Sequence, residues 1–283
     1  MLILLPPSET KLSGGVGISI DKAAIIWAAL DPAREVLFKK LATLAKSKAK
    51  AAKALKLGKN PERDLESLRE ILTAPTMPAI ERYAGTLYDA LGYQTLTSEG
   101  KERAKEKLFI QSALFGLLPA TEQIPYYRFS ASSQLPGVDL KKLWTKAHVA
   151  VWPRMLGPIL DMRSKSYAAL NPIPDREYYT VEVLDEESGK ALNHFNKKAK
   201  GAFVRAALEH GLETVDQVPQ IAKLAGLSAR QSGSVIELIV PSGFWPSLVV
   251  TPGSIAGITS SYFGSSITPS SRLMIESNQP WSL

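Results

Sequence analysis

Apolar positions along this chain come in short runs that prolines, glycines and charges interrupt, and the period of each run predicts its element. Residues 1–5 are continuously apolar and stop at Pro6-Pro7. This predicts a buried strand opening into a polar loop over 6–17, which carries Ser8, Glu9, Lys11 and three glycines. Asp31-Pro32 supplies an N-cap and a first-turn proline, so a helix is expected over 32–57. Leu57-Gly58-Lys59-Asn60-Pro61 ends it in a tight turn, and a second helix follows over 61–73. Helical spacing recurs at 77–91, 98–106, 140–156 (with Pro153 ending or kinking it), 196–211 and 214–224. Apolar runs at 108–113, 159–162 and 234–240 predict strands. Residues 178–184 and 190–195 flank an Asp-Glu-Glu-Ser-Gly turn and read as a hairpin, and 115–128 reads as a loop with short helical turns. The fold class is therefore α/β with mixed α+β character, in a single domain over 1–240. Beyond Pro241 the texture changes: residues 241–283 hold eleven serines and two charged residues, which predicts a poorly ordered tail.

The helix expected over 32–57 has a second pattern. On a helical wheel Leu37, Leu41, Leu44, Ala51 and Leu55 share one face, while Lys39, Lys46, Lys50 and Lys53 form a stripe opposite. Lys48 alone falls on the apolar side, where its stem would have to snorkel. Charge makes this stripe unusual. The chain's net charge is +7, yet residues 34–63 hold ten basic residues against two acids, a local +8 that exceeds the total. A lysine face is ordinarily just solvated, but this one leads through Lys56 and Lys59 to Arg63 with almost no acid beside it. Such a surface could grip nucleic-acid phosphates without reading sequence.

Composition removes several classes of chemistry. With no cysteine there is no disulfide, thiolate metal site or cysteine nucleophile, and His148, His194 and His210 are dispersed. No phosphate-loop, dinucleotide, serine-elbow or zinc-protease signature is present, so no cofactor is expected. The N-terminus lacks the form of a signal peptide and no apolar run reaches about 20 residues, so a cytosolic monomer without a membrane partner is expected. A dedicated iron site is disfavoured on the same grounds.

Four blocks outside the lysine helix combine cations, hydroxyls and carboxylates. They are Met1–Glu9 (MLILLPPSE), Phe115–Arg128 (FGLL…IPYYR), Leu160–Tyr167 (LDMRSKSY) and His194–Arg205 (HFNKKAKGAFVR). Singly each reads as structural, an Arg such as Arg128 closing a salt bridge or a carbonyl cage. Gly201 inside a predicted helix costs about 1 kcal/mol relative to Ala, which signals close packing or close approach of a ligand. Together with Arg82–Ala90 (RYAGTLYDA), and in this order, the blocks resemble the YaaA peroxide-stress protein family from residue 1 to about 240, with the actinobacterial branch nearest.

That resemblance implies a fold particular to the family, with a helix–hairpin–helix element and a basic cleft. It implies a cytosolic protein that binds double-stranded or branched DNA and limits iron-dependent peroxide damage. Carried onto this chain, the cleft would comprise Ser8, Lys11, Tyr127, Arg128, Arg163, Ser164, Tyr167, Lys197, Lys200, Gly201 and Arg205. The DNA-binding hairpin would turn at 57–61, with Lys39, Lys46, Lys50, Lys53, Lys56, Lys59 and Arg63 as its cations. Many members have Arg-Pro followed by Asp where this chain reads Pro119-Ala120-Thr121-Glu122, so one cleft cation is missing. A competing expectation is an enzyme acting on a nucleoside, nucleotide or damaged base. A small phosphorylated or nucleoside ligand would then occupy the cleft, and Glu9, Glu122 or Asp161 would supply the carboxylate such a glycosylase-like reaction needs.

Overall fold

Burial of every position in a strand predicts that neighbours cover both its edges and both its faces, and β1 (Leu2–Leu5) meets that condition. In the computed structural model, which describes residues 1–22, 25–57, 61–192 and 195–244, β1 lies inside a seven-stranded sheet. The helical unit α1 (Asp31–Leu44), α2 (Lys48–Leu55) and α3 (Pro61–Arg69) comes next. Then follow β2 (Thr76–Pro78), α4 (Ala79–Arg82), α5 (Thr86–Leu91), α6 (Ser98–Lys107), β3 (Leu108–Ser112), β4 (Gly116–Pro119) and β5 (Gln123–Pro125). The last part comprises α7 (Leu140–His148), β6 (Ile159–Asp161), α8 (Lys165–Leu170), β7 (Tyr178–Asp185), α9 (Asn196–His210), α10 (Val218–Leu224), β8 (Ser228–Ser232) and β9 (Val235–Val240).

The sheet order is β4-β3-β1-β6-β7-β9-β8, parallel at its centre and antiparallel at the two outer pairs, and β2 and β5 form a separate antiparallel pair. Register places Leu4 beside Phe109 on one side and Asp161 on the other. Strand β1 is therefore the switch point, with β3 to one side and β6 to the other. Open parallel sheets bind ligands in the crevice beyond the carboxyl ends of such strands.

The helix expected over 32–57 is two helices. Ser47 adopts an extended conformation that no helix interior tolerates, and Arg69 donates to the freed Ala45 carbonyl at 2.9 Å. The break lets α1 and α2 each contact α3, where Leu65 and Leu68 are buried, and it releases Lys48 from the apolar side to pair with Glu62. Arg34, one of the ten cations of the basic segment, points inward and donates to the Phe115 carbonyl at 2.9 Å and to Asp31 at 2.8 Å. The helix expected over 77–91 is likewise interrupted. Pro78 belongs to β2, and Gly85 takes a φ of 110° between α4 and α5. Residues 115–128 carry β4 and β5 instead of an irregular loop.

The expected hairpin at 178–195 forms only at its turn among the described residues: Asp185 donates to the Lys190 carbonyl, Leu192 to that of Val183, and Leu184 bridges Ala191. The start of β7 pairs with parallel β6 and its other edge with parallel β9. Strand β8, Ser-Ala-Arg-Gln-Ser, was invisible to an apolar criterion because it is a largely exposed margin of the sheet. His148 is a core residue. Its Nε2 accepts from the Leu117 amide at 3.0 Å, so Nδ1 carries the proton and donates to the Trp144 carbonyl at 2.8 Å. The turn residues 58–60, His194 and the serine-rich segment from 245 onward lie outside the described residues. Phe244, just past the expected domain limit, is buried.

Candidate functional site

The carboxyl ends of β1, β3 and β6 collect residues from four of the blocks. The loop after β1 is held by main-chain bonds to the end of α4: Leu12 donates to the Arg82 carbonyl, and Ala84 to that of Thr10. Arg82 is fully buried and makes this possible. Its guanidinium donates to the carbonyls of Leu12, Ile124 and Pro75, joining the loop to β5. Lys11 thereby sits opposite Tyr83, with its Nζ 4.4 Å from the centroid of the Tyr127 ring, 5.5 Å from that of Tyr83, and 3.0 Å from the Ser8 carbonyl to which it donates.

Beneath the amine lies a chain of hydroxyls. The Tyr83 and Tyr127 oxygens are 2.7 Å apart, and Tyr127 is 2.9 Å from Ser112 Oγ at the end of β3. Ser112 Oγ accepts from the Leu114 and Phe115 amides, each at 3.1 Å, which occupies both lone pairs. Its own proton is therefore directed to Tyr127. Burial pushes Tyr83 up to about 12 and Tyr127 and Tyr88 well above the ordinary tyrosine range, so these phenols stay neutral. Burial also pulls Lys11 down to about 8, with the Glu9 carboxylate opposing it and Arg128 assisting.

Residues 126–128 alternate in direction and connect the crevice to the helical unit. Tyr126 donates to Asp64 of α3 at 3.0 Å, and its ring lies 4.8 Å from the Arg63 guanidinium. Tyr127 turns inward. Arg128 reaches Glu9 through both its carbonyl (3.2 Å) and its carboxylate (3.5 Å), and reaches the Lys56 carbonyl at the end of α2 (3.5 Å). One side chain thus spans the first loop and the close of the lysine helix.

Around β6 the predicted residues build scaffold. Asp161 takes two bonds of 2.8 Å from the Arg163 guanidinium, and Asp161 Oδ1 also accepts the Arg163 amide at 3.0 Å. Arg163 is buried and donates as well to the Asn171 carbonyl at 2.9 Å. Asp161 is therefore committed to its guanidinium. Lys200 is buried against the Met162 carbonyl at 3.2 Å, and desolvation lowers it to about 8. Tyr167 accepts from the Ala131 amide at 3.3 Å, and the exposed Ser164 hydroxyl meets that of Ser166.

Other predicted residues stand apart. Glu122 accepts from the amides of Ile26 and Gln123 at the β4–β5 turn, where burial raises it. Arg205 donates to the carbonyls of Leu91, Gly92 and Thr95, closing the end of α5. Lys197 is exposed on the first turn of α9. Gly201 answers its expectation as packing, because a Cβ there would lie 2.2 Å from the Leu87 carbonyl oxygen. Tyr83, Arg82 and Ser112 were missed as site residues. The signal available for the first two was their place in the RYAGTLYDA block.

On the helical unit, Lys46, Lys50, Lys53, Lys56 and Arg63 are exposed, and Lys39 pairs with Glu35 along α1. Lys59 lies outside the described residues. Among the described residues, no three His, Cys, Asp or Glu side chains gather as a metal site, and no helix is long and apolar enough to cross a membrane.

Fold and site together define an α/β protein whose switch point gathers lysine, arginine and tyrosine beside a helical unit rich in exposed cations. The family profile described as "Peroxide stress protein YaaA" matches residues 1–232, and the chain belongs to this family. A UPF0246 protein of Corynebacterium glutamicum strain R is 38% identical over 240 residues, 82% of this chain and 96% of that relative. One of Streptomyces coelicolor is 37% identical over 219 residues, covering 75% of this chain and 84% of its own length. A Campylobacter jejuni protein is 25% identical over 237 residues, 81% of this chain and 95% of its own.

Proposed function

We propose that this chain is a cytosolic, monomeric DNA-binding protein of the peroxide response, holding duplex or branched DNA by its backbone against the α1–α3 unit. The observation carrying this reading is the run of exposed cations Lys46, Lys50, Lys53 and Lys56, for which no carboxylate lies within 4 Å among the described residues. Unpaired cations spaced along α2 and its two flanking turns attract a polyanion and release its counterions on binding. We read α2 and α3 as the arms of a helix–hairpin–helix, with Arg63 at the start of the second arm, and the crevice with Lys11 and Arg128 as the inner wall of a basic cleft. Protection from iron-dependent damage then follows from covering the backbone and needs no iron site among the described residues.

The test is the salt dependence of binding. If those four lysines meet phosphates, the slope of log K against log[salt] flattens by roughly three to four units in the quadruple Lys→Ala variant, at about 0.9 per phosphate. An unchanged slope in electrophoretic or fluorescence titrations removes the segment from the interface.

A second reading, a reaction on a nucleoside or damaged base, is favoured by one feature: Lys11 is a desolvated amine set over tyrosines at the switch point.

A further inference from the structure

A largely buried lysine ordinarily has a carboxylate partner, because an ammonium withdrawn from water is costly without one. Lys11 has none within 4 Å among the described residues. Its single hydrogen bond goes to the Ser8 carbonyl, and the rest of its head faces the Tyr127 and Tyr83 rings. Lys200 shares the lowered basicity but is closed in behind Met162 at 7% exposure, whereas Lys11 keeps a partly open position on the crevice-rim loop. Of the two residues, Lys11 is the less enclosed. Through Arg128 its loop adjoins the end of the lysine helix, so a backbone lying on that helix passes close to it.

We propose that Lys11 is an amine nucleophile that forms an imine with the aldehyde of a ring-opened abasic deoxyribose in DNA. This deepens, and rests on, the DNA-binding reading. Among the parts of a DNA strand, the group a neutral amine attacks most readily is that aldehyde, which remains where a base has been lost. The lone pair of Nζ forms a bond to C1′, the carbonyl π pair moves to oxygen, and a proton passes from nitrogen to that oxygen. The nitrogen lone pair of the carbinolamine then closes a double bond to C1′ as the hydroxyl takes up a proton and leaves as water, and the remaining N–H proton is released to replace it, so amine and aldehyde give imine and one water. No oxidant or reductant is consumed.

The surroundings favour the neutral form that the first step needs. The charged and titratable groups facing Lys11 are Glu9 from its own loop, Arg82 and Tyr83 beside α4, Asp64 of α3, and Tyr127 and Arg128 after β5. The two guanidiniums oppose the carboxylates, and burial outweighs both, bringing the amine to about 8 from 10.5. At pH 7 its neutral fraction is roughly three-hundredfold what the ordinary lysine value of 10.5 would give. The exposed lysines of α2 are thus an internal control within the same molecule.

The experiment incubates the full chain with a duplex carrying one abasic site, in the presence of borohydride, which reduces an imine to a stable secondary amine. Protein–DNA adducts are resolved by denaturing electrophoresis and mapped by peptide mass, with retention of the same duplex measured in parallel. The expected result is an adduct on the Lys11 peptide that grows between pH 7 and 8.5 and is lost in K11R, which keeps the cation. Retention of DNA without any adduct, or an adduct confined to the α2 lysines, overturns the imine and leaves the binding reading intact. Failure to retain DNA at low salt defeats the binding reading instead. In that case free 2-deoxyribose 5-phosphate at high concentration tests the amine alone: labelling at Lys11 supports it, and none overturns it. Because the mapped adduct comes from the unaltered protein, the outcome does not depend on whether K11R folds.

Discussion

Asp161 and Arg163 show how a pair of charged residues is decided by its surroundings. In sequence they are a carboxylate and a cation two positions apart, a plausible acid and a plausible phosphate ligand. Folded, they neutralise each other through a bidentate pair inside the sheet's end. Asp161→Asn would leave a buried guanidinium without its counter-charge, and a loss of about 3–5 kcal/mol is expected, read as a lower midpoint in denaturant. His148 makes the complementary case in pH. Burial lowers it to about 4 from an unfolded 6.5, so the unfolded chain takes up the proton first. Stability contributed by its neutral form is complete above pH 6.5 and declines as pH falls toward 4, by roughly 3 kcal/mol over the interval at 1.36 kcal/mol per unit. Thermal melts of wild type and His148→Gln should diverge in pH dependence across that window. Identical profiles would mean His148 is not held neutral.

At the scale of elements, the periodic patterns located most helices but not their breaks. The apolar face of 32–57 is continuous in sequence because Leu44 before the kink and Ala51 after it are both buried; what ends α1 is the Ser47 conformation and a bond from Arg69, a residue two dozen positions away. Arg69→Ala should cost about 1 kcal/mol by orphaning the Ala45 carbonyl, measurable by urea titration. Strands were legible where both faces are buried, as in β1, β3 and β6, and illegible where pairing is with the margin, as in β8. The hairpin at 178–195 closes at its turn, where Asp185 donates to the Lys190 carbonyl and Leu192 to that of Val183, and it stays short because β6 takes the same edge of β7 at 178–180. Gly201, costly to a helix by propensity, is required there by close packing. Gly201→Val should destabilise by several kcal/mol, since the added atoms meet the Leu87 carbonyl and Ala90.

For the whole molecule, the sheet order explains why residues nearly two hundred positions apart, Lys11 and Lys200, belong to one end of the protein. Sequence could supply the blocks, yet only the switch at β1 says which of them converge. Lys11, Tyr127 and Arg128 meet there, with Arg163, Tyr167 and Lys200 buttressing the β6 side, while Arg205 and Glu122 serve other joints. The cationic helices, in contrast, were readable from charge alone, because an exposed face needs no partner to be recognised.

Arg128 has a mechanical consequence. One guanidinium is tethered to the first loop at one end of its fork and to the last carbonyl of the lysine helix at the other. A ligand that draws this guanidinium away would release the first loop and the end of the lysine helix together, so the two segments would loosen as one unit.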